Sequence, residues 1–304
     1  MRVCFHPDYA CPLPEGHPFP ISKFPLLHQT LLDEGLIAPG DVHQPEPVDW
    51  EDLALVHSAE YLGYLQALDY PATMERRLGM PFSEPLLRRY RLAAQGTIEV
   101  GRFALQDGLA GNLAGGTHHA FAERGEGFCL LNDVAVAIRV LQREGRIRRA
   151  LVVDLDVHQG NGTAAIFRDD PEVFTFSVHG AKNFPARKEQ SDLDVGLPDQ
   201  TGDADYLTAL GEHLPRAVEA AQPDIVFYVA GVDVLAGDRF GRLALTREGL
   251  AARERAVLEG CRRAALPLAI VLGGGYASHP SVTADLHAVA HREAARVGST
   301  RPEA

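Results

Sequence analysis

Two carboxylates and an imidazole alternate at the end of an apolar run and form the clearest candidate site in this sequence. Asp154, Asp156 and His158 follow the apolar residues 150–153, and Asp233 ends a second apolar run. Alternate side chains of a strand point to the same side, and buried carboxylates destabilise a fold unless a cation neutralises them. The two neighbouring carboxylates could instead pair with arginines.

Asp156, His158 and Asp233 together predict a metal centre with three protein ligands. Catalytic zinc sites keep a further position open for water or substrate. Because a set of two aspartates and one histidine is less selective than the usual histidine-rich set, it would also accept Fe²⁺, Co²⁺ or Mn²⁺. We expect Zn²⁺, with these ions as substitutes.

Two glycine-rich segments carry groups that could act on a substrate beside this metal. His118 and His119 follow Gly115-Gly-Thr, and adjacent imidazoles beside a metal indicate a general acid/base pair. Tyr276 follows three glycines, where its phenol could help to polarise a carbonyl. This glycine run matches no phosphate-binding motif. Cys129 offers a thiol near the histidines, but we interpret it as a small buried residue lining the pocket.

Four apolar runs predict strands that are buried on both faces of a parallel sheet. Each run ends in polar side chains, and the runs cover residues 150–158, 173–179, 225–233 and 268–276. Helical patterns separate them, so the sequence predicts an α/β fold with one central parallel sheet. Ligands of such sheets bind beyond the carboxyl ends of the strands, where these polar side chains would converge.

Three polar residues precede helical patterns as candidate N-terminal caps. Asn132 would cap a helix that Gly145 ends, and Asp203 would cap the segment through residue 221. Thr246 would cap a helix that runs to about residue 266, before Pro267.

The composition narrows the classes of partner. The 304 residues carry a formal net charge of −12 without a basic run, which disfavours nucleic-acid binding and would tolerate a cationic substrate. No apolar run reaches the roughly 18 residues of a membrane span. The four cysteines form no C-x-x-C pair, so we expect neither a disulfide framework nor a structural zinc module, and we expect a cytoplasmic location.

Together, these motifs resemble those of the histone deacetylase family of the arginase/deacetylase superfamily. The resemblance rests on five motifs in the family's order, which are Gly115-Gly-Thr-His-His-Ala, Gly127-Phe-Cys-Leu-Leu-Asn-Asp, Asp154-Leu-Asp-Val-His-Gln-Gly-Asn-Gly, Ala230-Gly-Val-Asp and Gly273-Gly-Gly-Tyr. Class IV enzymes and their bacterial-type relatives are the most similar, on His17-Pro-Phe with Lys23, Gln159 and Gly237-Asp-Arg-Phe-Gly.

The resemblance implies a single catalytic domain over residues 1–304 with a central eight-stranded parallel sheet flanked by helices. It also implies roles for individual residues. Zinc would bind to Asp156, His158 and Asp233. Asp154 would orient His118 and, with Ser177, would contact a structural K⁺. Asn161 would lie beside His119. Gly127 and Phe128 would flank a substrate tunnel, with Phe184 as its opposite wall.

The implied reaction removes an acetyl or longer fatty acyl group from a lysine side chain by means of a water that the metal activates. His119 would take the proton of this water, Tyr276 would stabilise the oxyanion, and either histidine would protonate the leaving amine. The substrate would be an acylated lysine in a protein or peptide, or an acylated polyamine or other small amine. The alternatives are a two-manganese ureohydrolase, disfavoured by Leu235 in place of a second carboxylate, and a catalytically silent binding module.

Overall fold

Eight parallel strands form one sheet in residues 1–299, the part of the chain that this computed structural model describes. In chain order they are β1 (Val3–Cys4), β2 (Val42–His43), β3 (Leu109–Asn112), β4 (Ala150–Asp154), β5 (Val173–Gly180), β6 (Leu193–Leu197), β7 (Ile225–Val229) and β8 (Leu268–Val271). Their order across the sheet is β2-β1-β3-β8-β7-β4-β5-β6. The predicted central eight-stranded parallel sheet is confirmed.

Helices cover both faces of the sheet, so its central strands β4, β7 and β8 are buried on both sides. In chain order they are α1 (Lys23–Asp33), α2 (Trp50–Leu53), α3 (Ala59–Gln66), α4 (Ala72–Leu78), α5 (Glu84–Asp107), α6 (Asp133–Arg143), α7 (Asn161–Phe167), α8 (Asp203–Ala221), α9 (Arg247–Arg263) and α10 (Pro280–Ser299). One hydrophobic core includes apolar side chains of α1, α5 and α6, and a second includes those of α8 and α9. Helix α10 contributes to both cores.

Within residues 1–299, none of the helices combines the length and the apolar character needed to cross a membrane. The single domain over residues 1–304 stays a prediction, and its last residues, 300–304, lie outside the described part of the chain.

Two of the three predicted helix caps are present. The side chain of Asn132 accepts a hydrogen bond from Ala135 N at 3.0 Å, and that of Thr246 accepts one from Gly249 N at 3.0 Å. The prediction for Asp203 is wrong, because Gly202 occupies the cap position of α8. The Asp203 carboxylate instead accepts hydrogen bonds from Thr246 N at 2.8 Å and Thr246 Oγ1 at 2.6 Å, so it joins the starts of α8 and α9.

The strands that lead to the candidate site are shorter than the apolar runs predict. β4, β7 and β8 end at Asp154, Val229 and Val271, so most of the candidate side chains lie on the loops that follow. Apolar residues continue past the strand ends because these loops are buried too. Strands β3, β8, β7 and β4 are neighbours in the sheet, and the loops after their carboxyl ends therefore meet at one edge.

Candidate metal centre and catalytic groups

Asp156, His158 and Asp233 come together at this edge as a buried cluster whose potential ligand atoms lie within 4.8 Å of one another. His158 Nδ1 lies 2.9 Å from Asp156 Oδ1 and 3.2 Å from Asp233 Oδ2. Asp233 Oδ2 is buried without a hydrogen-bond partner in residues 1–299. A buried, unsatisfied carboxylate oxygen is costly, whereas a divalent cation beside it would remove this cost. The residues present therefore fit the predicted zinc ion.

Backbone amides hold the two carboxylates in place. Asp156 Oδ1 accepts a hydrogen bond from His158 N at 2.9 Å, and Asp156 Oδ2 accepts one from Gly274 N at 2.6 Å. Asp233 Oδ1 accepts a hydrogen bond from Val157 N at 2.9 Å. A Cβ atom at Gly274 would lie 2.0 Å from Asp233 Oδ2, which explains why this loop needs glycine where it approaches the cluster.

The tandem histidines enter the site on the loop after β3. The carboxylate of Asp133, at the start of α6, accepts hydrogen bonds from Gly116 N at 3.1 Å and Thr117 N at 2.7 Å. Both histidines that follow are buried, and their ring centroids lie 4.1 Å apart. Asp133 thus positions the histidine pair, although its sequence motif alone gave no indication of this role.

The two histidines have different partners. His118 Nδ1 lies 2.7 Å from Asp154 Oδ2, and His119 Nδ1 lies 2.7 Å from Asn161 Oδ1. Asn161 Nδ2 donates to Glu126 Oε1 at 3.1 Å, so the amide oxygen of Asn161 faces His119. His119 Nδ1 must therefore carry the hydrogen of this bond, which leaves Nε2 of a neutral ring free to accept a proton.

The surroundings of the two rings shift their pKa values in opposite directions. Burial and the neighbouring His118 and His158 hold the pKa of His119 well below its usual value. Burial also opposes the charge on His118, but the Asp154 and Asp156 carboxylates outweigh burial and raise its pKa to about 9. The geometry therefore favours a neutral His119 beside a protonated His118.

Tyr276 lies on the loop after β8 and is anchored through its backbone. Asp238 Oδ2 accepts a hydrogen bond from Tyr276 N at 2.7 Å, and Asp238 Oδ1 accepts hydrogen bonds from Phe240 N at 2.9 Å and Gly241 N at 3.0 Å. Burial and the Asp233 and Asp156 carboxylates raise the pKa of Tyr276 well above its usual value. The phenol therefore keeps its proton and can donate a hydrogen bond.

Ser177 lies opposite Asp154 in the register of β4 and β5, as a shared K⁺ site would require. However, the available atoms already have partners. Asp154 Oδ1 accepts a hydrogen bond from Asp156 N at 3.2 Å, and Ser177 Oγ lies 2.9 Å from His179 Nδ1. The structural potassium ion stays a prediction.

Two cavities that share lining residues lie beside the cluster. An outer cavity of about 440 Å³ and an inner cavity of about 30 Å³ share His119, Gly127, Phe128, His158 and Tyr276 in their linings. Phe184 lines the outer cavity, with its ring edge-on to His119 at a centroid distance of 4.9 Å. The three predicted tunnel residues thus lie together on one passage. Cys129 lines the inner cavity, and burial raises the pKa of its thiol, which does not favour a nucleophilic role.

Arg253 is a buried residue that the sequence analysis missed. Its Nη1 donates to Leu155 O at 2.9 Å and to Gly231 O at 2.8 Å, and its Nη2 donates to Glu254, which also accepts from Tyr228 Oη at 2.7 Å. Arg253 therefore links the two loops that carry the candidate metal ligands. The available signal is the position of two charged residues on the apolar face of α9, between Leu250 and Val257.

Replacement of Arg253 with alanine is expected to lower the free energy of unfolding by about 3–5 kcal/mol, because it leaves the buried Glu254 carboxylate unpaired. Urea unfolding followed by circular dichroism measures this change. Arg263→Ala is the matched control on the same helix, since its side chain is 71% exposed and forms an exposed i,i+4 ion pair with Glu259. A loss below about 1 kcal/mol in Arg253→Ala, within the range of surface pairs, would contradict the role of this link.

Comparisons with known proteins identify relatives of this chain. Residues 17–292 match the model of the histone deacetylase domain. An uncharacterized protein of Picosynechococcus sp. is 50% identical over 293 residues, which cover 96% of this chain and 97% of that protein. Histone deacetylase 2 of Arabidopsis thaliana is 32% identical over 269 residues, which cover 86% of this chain and 70% of that protein.

Two further matches have lower sequence identity. Histone deacetylase 1 of Homo sapiens is 29% identical over 284 residues, and the match spans 58% of that protein. The crystal structure of the HDA15 HD domain superposes with a TM-score of 0.78 at 22% identity, covering 99% of this chain and 91% of that one. The family model, which covers most of the sequence, and the Arabidopsis relative together show that the chain belongs to the histone deacetylase family, whose members are hydrolases of the deacetylase type.

Proposed function

We propose that this protein is a zinc-dependent amidohydrolase that removes acetyl groups from amines of the lysine side-chain type. The observation that carries this proposal is the buried cluster of Asp156, His158 and Asp233, in which Asp233 Oδ2 has no hydrogen-bond partner within the described residues. Two histidines with opposite pKa shifts and a protonated phenol surround this cluster, as amide hydrolysis requires.

The chain's own groups have distinct tasks in this reaction. When bound, zinc would supply a Lewis acid and an activated water. His119 Nε2 accepts the proton of the attacking water, because its Nδ1 donates to Asn161. His118, which Asp154 keeps protonated, donates a proton to the leaving amine. Tyr276 donates a hydrogen bond to the oxygen that becomes negative in the transition state.

The sizes of the two cavities favour a short acyl group. An amine that enters through the outer cavity places its acyl group in the inner one, because the two meet at His119, His158 and Tyr276. The inner cavity of about 30 Å³ has room for roughly two water-sized groups. An acetyl methyl fits this space and an octanoyl chain does not. We therefore propose acetyl in preference to the longer fatty acyl groups that the class IV resemblance suggests.

We expect the zinc-loaded protein to hydrolyse acetyl-lysine peptides at least about tenfold faster, in kcat/KM, than octanoyl- or myristoyl-lysine peptides of the same sequence. Each methylene that finds no room forfeits roughly 0.8 kcal/mol of burial and forces the cavity wall to move. Liquid chromatography of the released peptide measures all three rates. Faster removal of the octanoyl or myristoyl group would contradict the size argument, and no hydrolysis of any of the three would contradict the proposed function.

Two other readings have less support. A two-metal ureohydrolase requires further metal ligands, whereas one such cluster occurs in residues 1–299. Leu235, two residues after Asp233, offers no carboxylate. A silent binding module would not need two histidines with opposite protonation. The assignment to class IV and the cytoplasmic location are parts of our proposal, as is an acylated lysine or small amine as the substrate.

A further inference from the structure

The wall of the outer cavity carries positive charge, although the whole protein has a net charge of −12. Arg77, Lys182 and Arg242 line this cavity together with His119 and Tyr276, and its lining contains no aspartate or glutamate among the described residues. We call these three cationic residues the cationic rim. All three are exposed on segments that are distant in the sequence, so the rim exists only in the folded protein.

Little on the protein compensates this charge. Arg242 Nη1 lies 3.2 Å from Asp199 Oδ2, but both side chains are partly exposed, and such pairs are weak. Arg77 and Lys182 have no ion pair within residues 1–299. Both therefore add positive charge without an ion-pair partner to the wall of the outer cavity.

The acidic side chains nearby have partners of their own. Glu126 lies 3.3 Å from Arg124 Nε and accepts a hydrogen bond from Asn161, and Glu75 accepts one from Phe82 N at 2.9 Å. Asp238 accepts three backbone hydrogen bonds. Asp156 lines the inner cavity, and its carboxylate and that of Asp233 would balance a divalent cation. Glu75, Glu126 and Asp238 keep their charge in these bonds, but none of them lines the outer cavity, whose formally charged side chains among the described residues are those of the cationic rim.

This arrangement has consequences for the substrate. A polyamine or a lysine-rich peptide would place its remaining positive charges beside unpaired cations of the same sign, and a cavity focuses this repulsion. A carboxylate at the same place would gain charge-assisted hydrogen bonds, because arginine and lysine both recognise carboxylates. The local charge is thus opposite to what the acidic composition of the whole chain suggests.

We propose that the substrate is an acetylated amine whose own scaffold carries an anionic group, such as a carboxylate, next to the acetylated side chain. This inference rests on the proposed function and narrows its substrate class. The anionic group could belong to a small molecule, such as an amino acid with a free carboxylate, or to acidic residues that flank an acetyl-lysine in a peptide. The chemistry that the cationic rim recognises is the same in both.

Two matched pairs of substrates test the inference with the zinc-loaded wild-type protein. One pair is an acetyl-lysine peptide flanked by glutamates and the same peptide flanked by arginines. The other is Nα-benzoyl-Nε-acetyl-lysine with a free carboxylate and its neutral carboxamide. We expect kcat/KM to be about tenfold higher for the anionic member, and the ratio to fall as salt is added. The pair with the larger ratio identifies the source of the anion, and equal or reversed ratios in both pairs would overturn the proposal.

Charge-reversal variants test whether the cationic rim causes the preference for anionic substrates. The double variant Arg77→Glu/Lys182→Glu should lose or invert the preference. The control Arg216→Glu/Arg263→Glu changes the net charge equally, on side chains that are 63% and 71% exposed. These two residues lie in the C-terminal halves of α8 and α9, toward the opposite edge of the sheet. We expect the control to keep the wild-type ratio, and an unchanged ratio in the rim variant would refute the role of the rim.

Failure of the proposed function can be distinguished from failure of this inference. If the zinc-loaded wild-type protein hydrolyses none of the substrates, the amidohydrolase proposal fails. Calorimetric titration of the same pairs into Tyr276→Phe protein then still compares binding of the anionic and neutral or cationic members. Tighter binding of the anionic members by about tenfold supports the cationic rim as a recognition site, and equal affinities overturn it.

Discussion

Replacement of Asp233 with alanine is expected to weaken zinc binding at least about 100-fold and to abolish hydrolysis. Loss of a residue that only orients a ligand typically costs 10- to 100-fold in metal affinity, so loss of a ligand should cost more. The physical reason is that Asp156 and His158 would be left as two ligands, with one carboxylate charge in place of two. We expect the same result for Asp156→Ala, which also removes the acceptor for Gly274 N.

Competition with a chromophoric chelator measures the zinc affinity, and elemental analysis gives the stoichiometry of the purified variants. Asp205→Ala is a suitable control, because this exposed residue on α8 carries the same charge and does not belong to the ligand cluster. Circular dichroism of the metal-free proteins separates loss of binding from loss of the fold. Full zinc occupancy in both Asp156→Ala and Asp233→Ala at stoichiometric metal would refute the assignment of the ligands.

Replacement of Tyr276 with phenylalanine is expected to retain zinc and to lower kcat by about 10²–10³-fold. This is the usual loss when one hydrogen-bond donor to an oxyanion is removed from a preorganised site, about 2.7–4 kcal/mol. The ring packs edge-on against Phe240 at a centroid distance of 4.9 Å and near Phe19 and Phe128, so phenylalanine keeps these contacts. The effect should therefore appear in kcat and not in stability.

Steady-state kinetics with the best acetylated substrate, together with zinc content and thermal unfolding, test this prediction. Tyr64→Phe provides the control, because its hydroxyl donates to Glu60 on the exposed surface of α3 at 3.0 Å. A turnover rate of Tyr276→Phe equal to that of the wild type would exclude the phenol as an oxyanion donor. An equal loss in both variants would show that the effect is not specific to the site.

Several features could be read from the sequence because local physics specifies them. Asn132 and Thr246 satisfy free amides at helix starts through their own side chains, so their positions predict helix boundaries. Continuous apolar runs predict buried parallel strands because both faces of such a sheet are covered. The same rules failed for Asp203, whose carboxylate bonds to Thr246 on a different helix, since a distant partner competed successfully with the local one.

The apolar runs of the sequence predicted a parallel α/β sheet, because burial patterns are properties of short segments. Its eight strands were implied only by the resemblance of the contiguous motifs to the family. The sequence also predicted which side chains would converge at the site. Only the tertiary structure decided how these groups differ from one another. Asp154 and Asp156 raise the pKa of His118, whereas burial and the neighbouring His118 and His158 lower that of His119.

Arg253 links two loops that are distant in the sequence, and the cationic rim assembles residues from three separate segments. Electrostatic environment depends on distances and burial in space. A chain that is acidic overall can therefore surround its candidate catalytic site with positive charge.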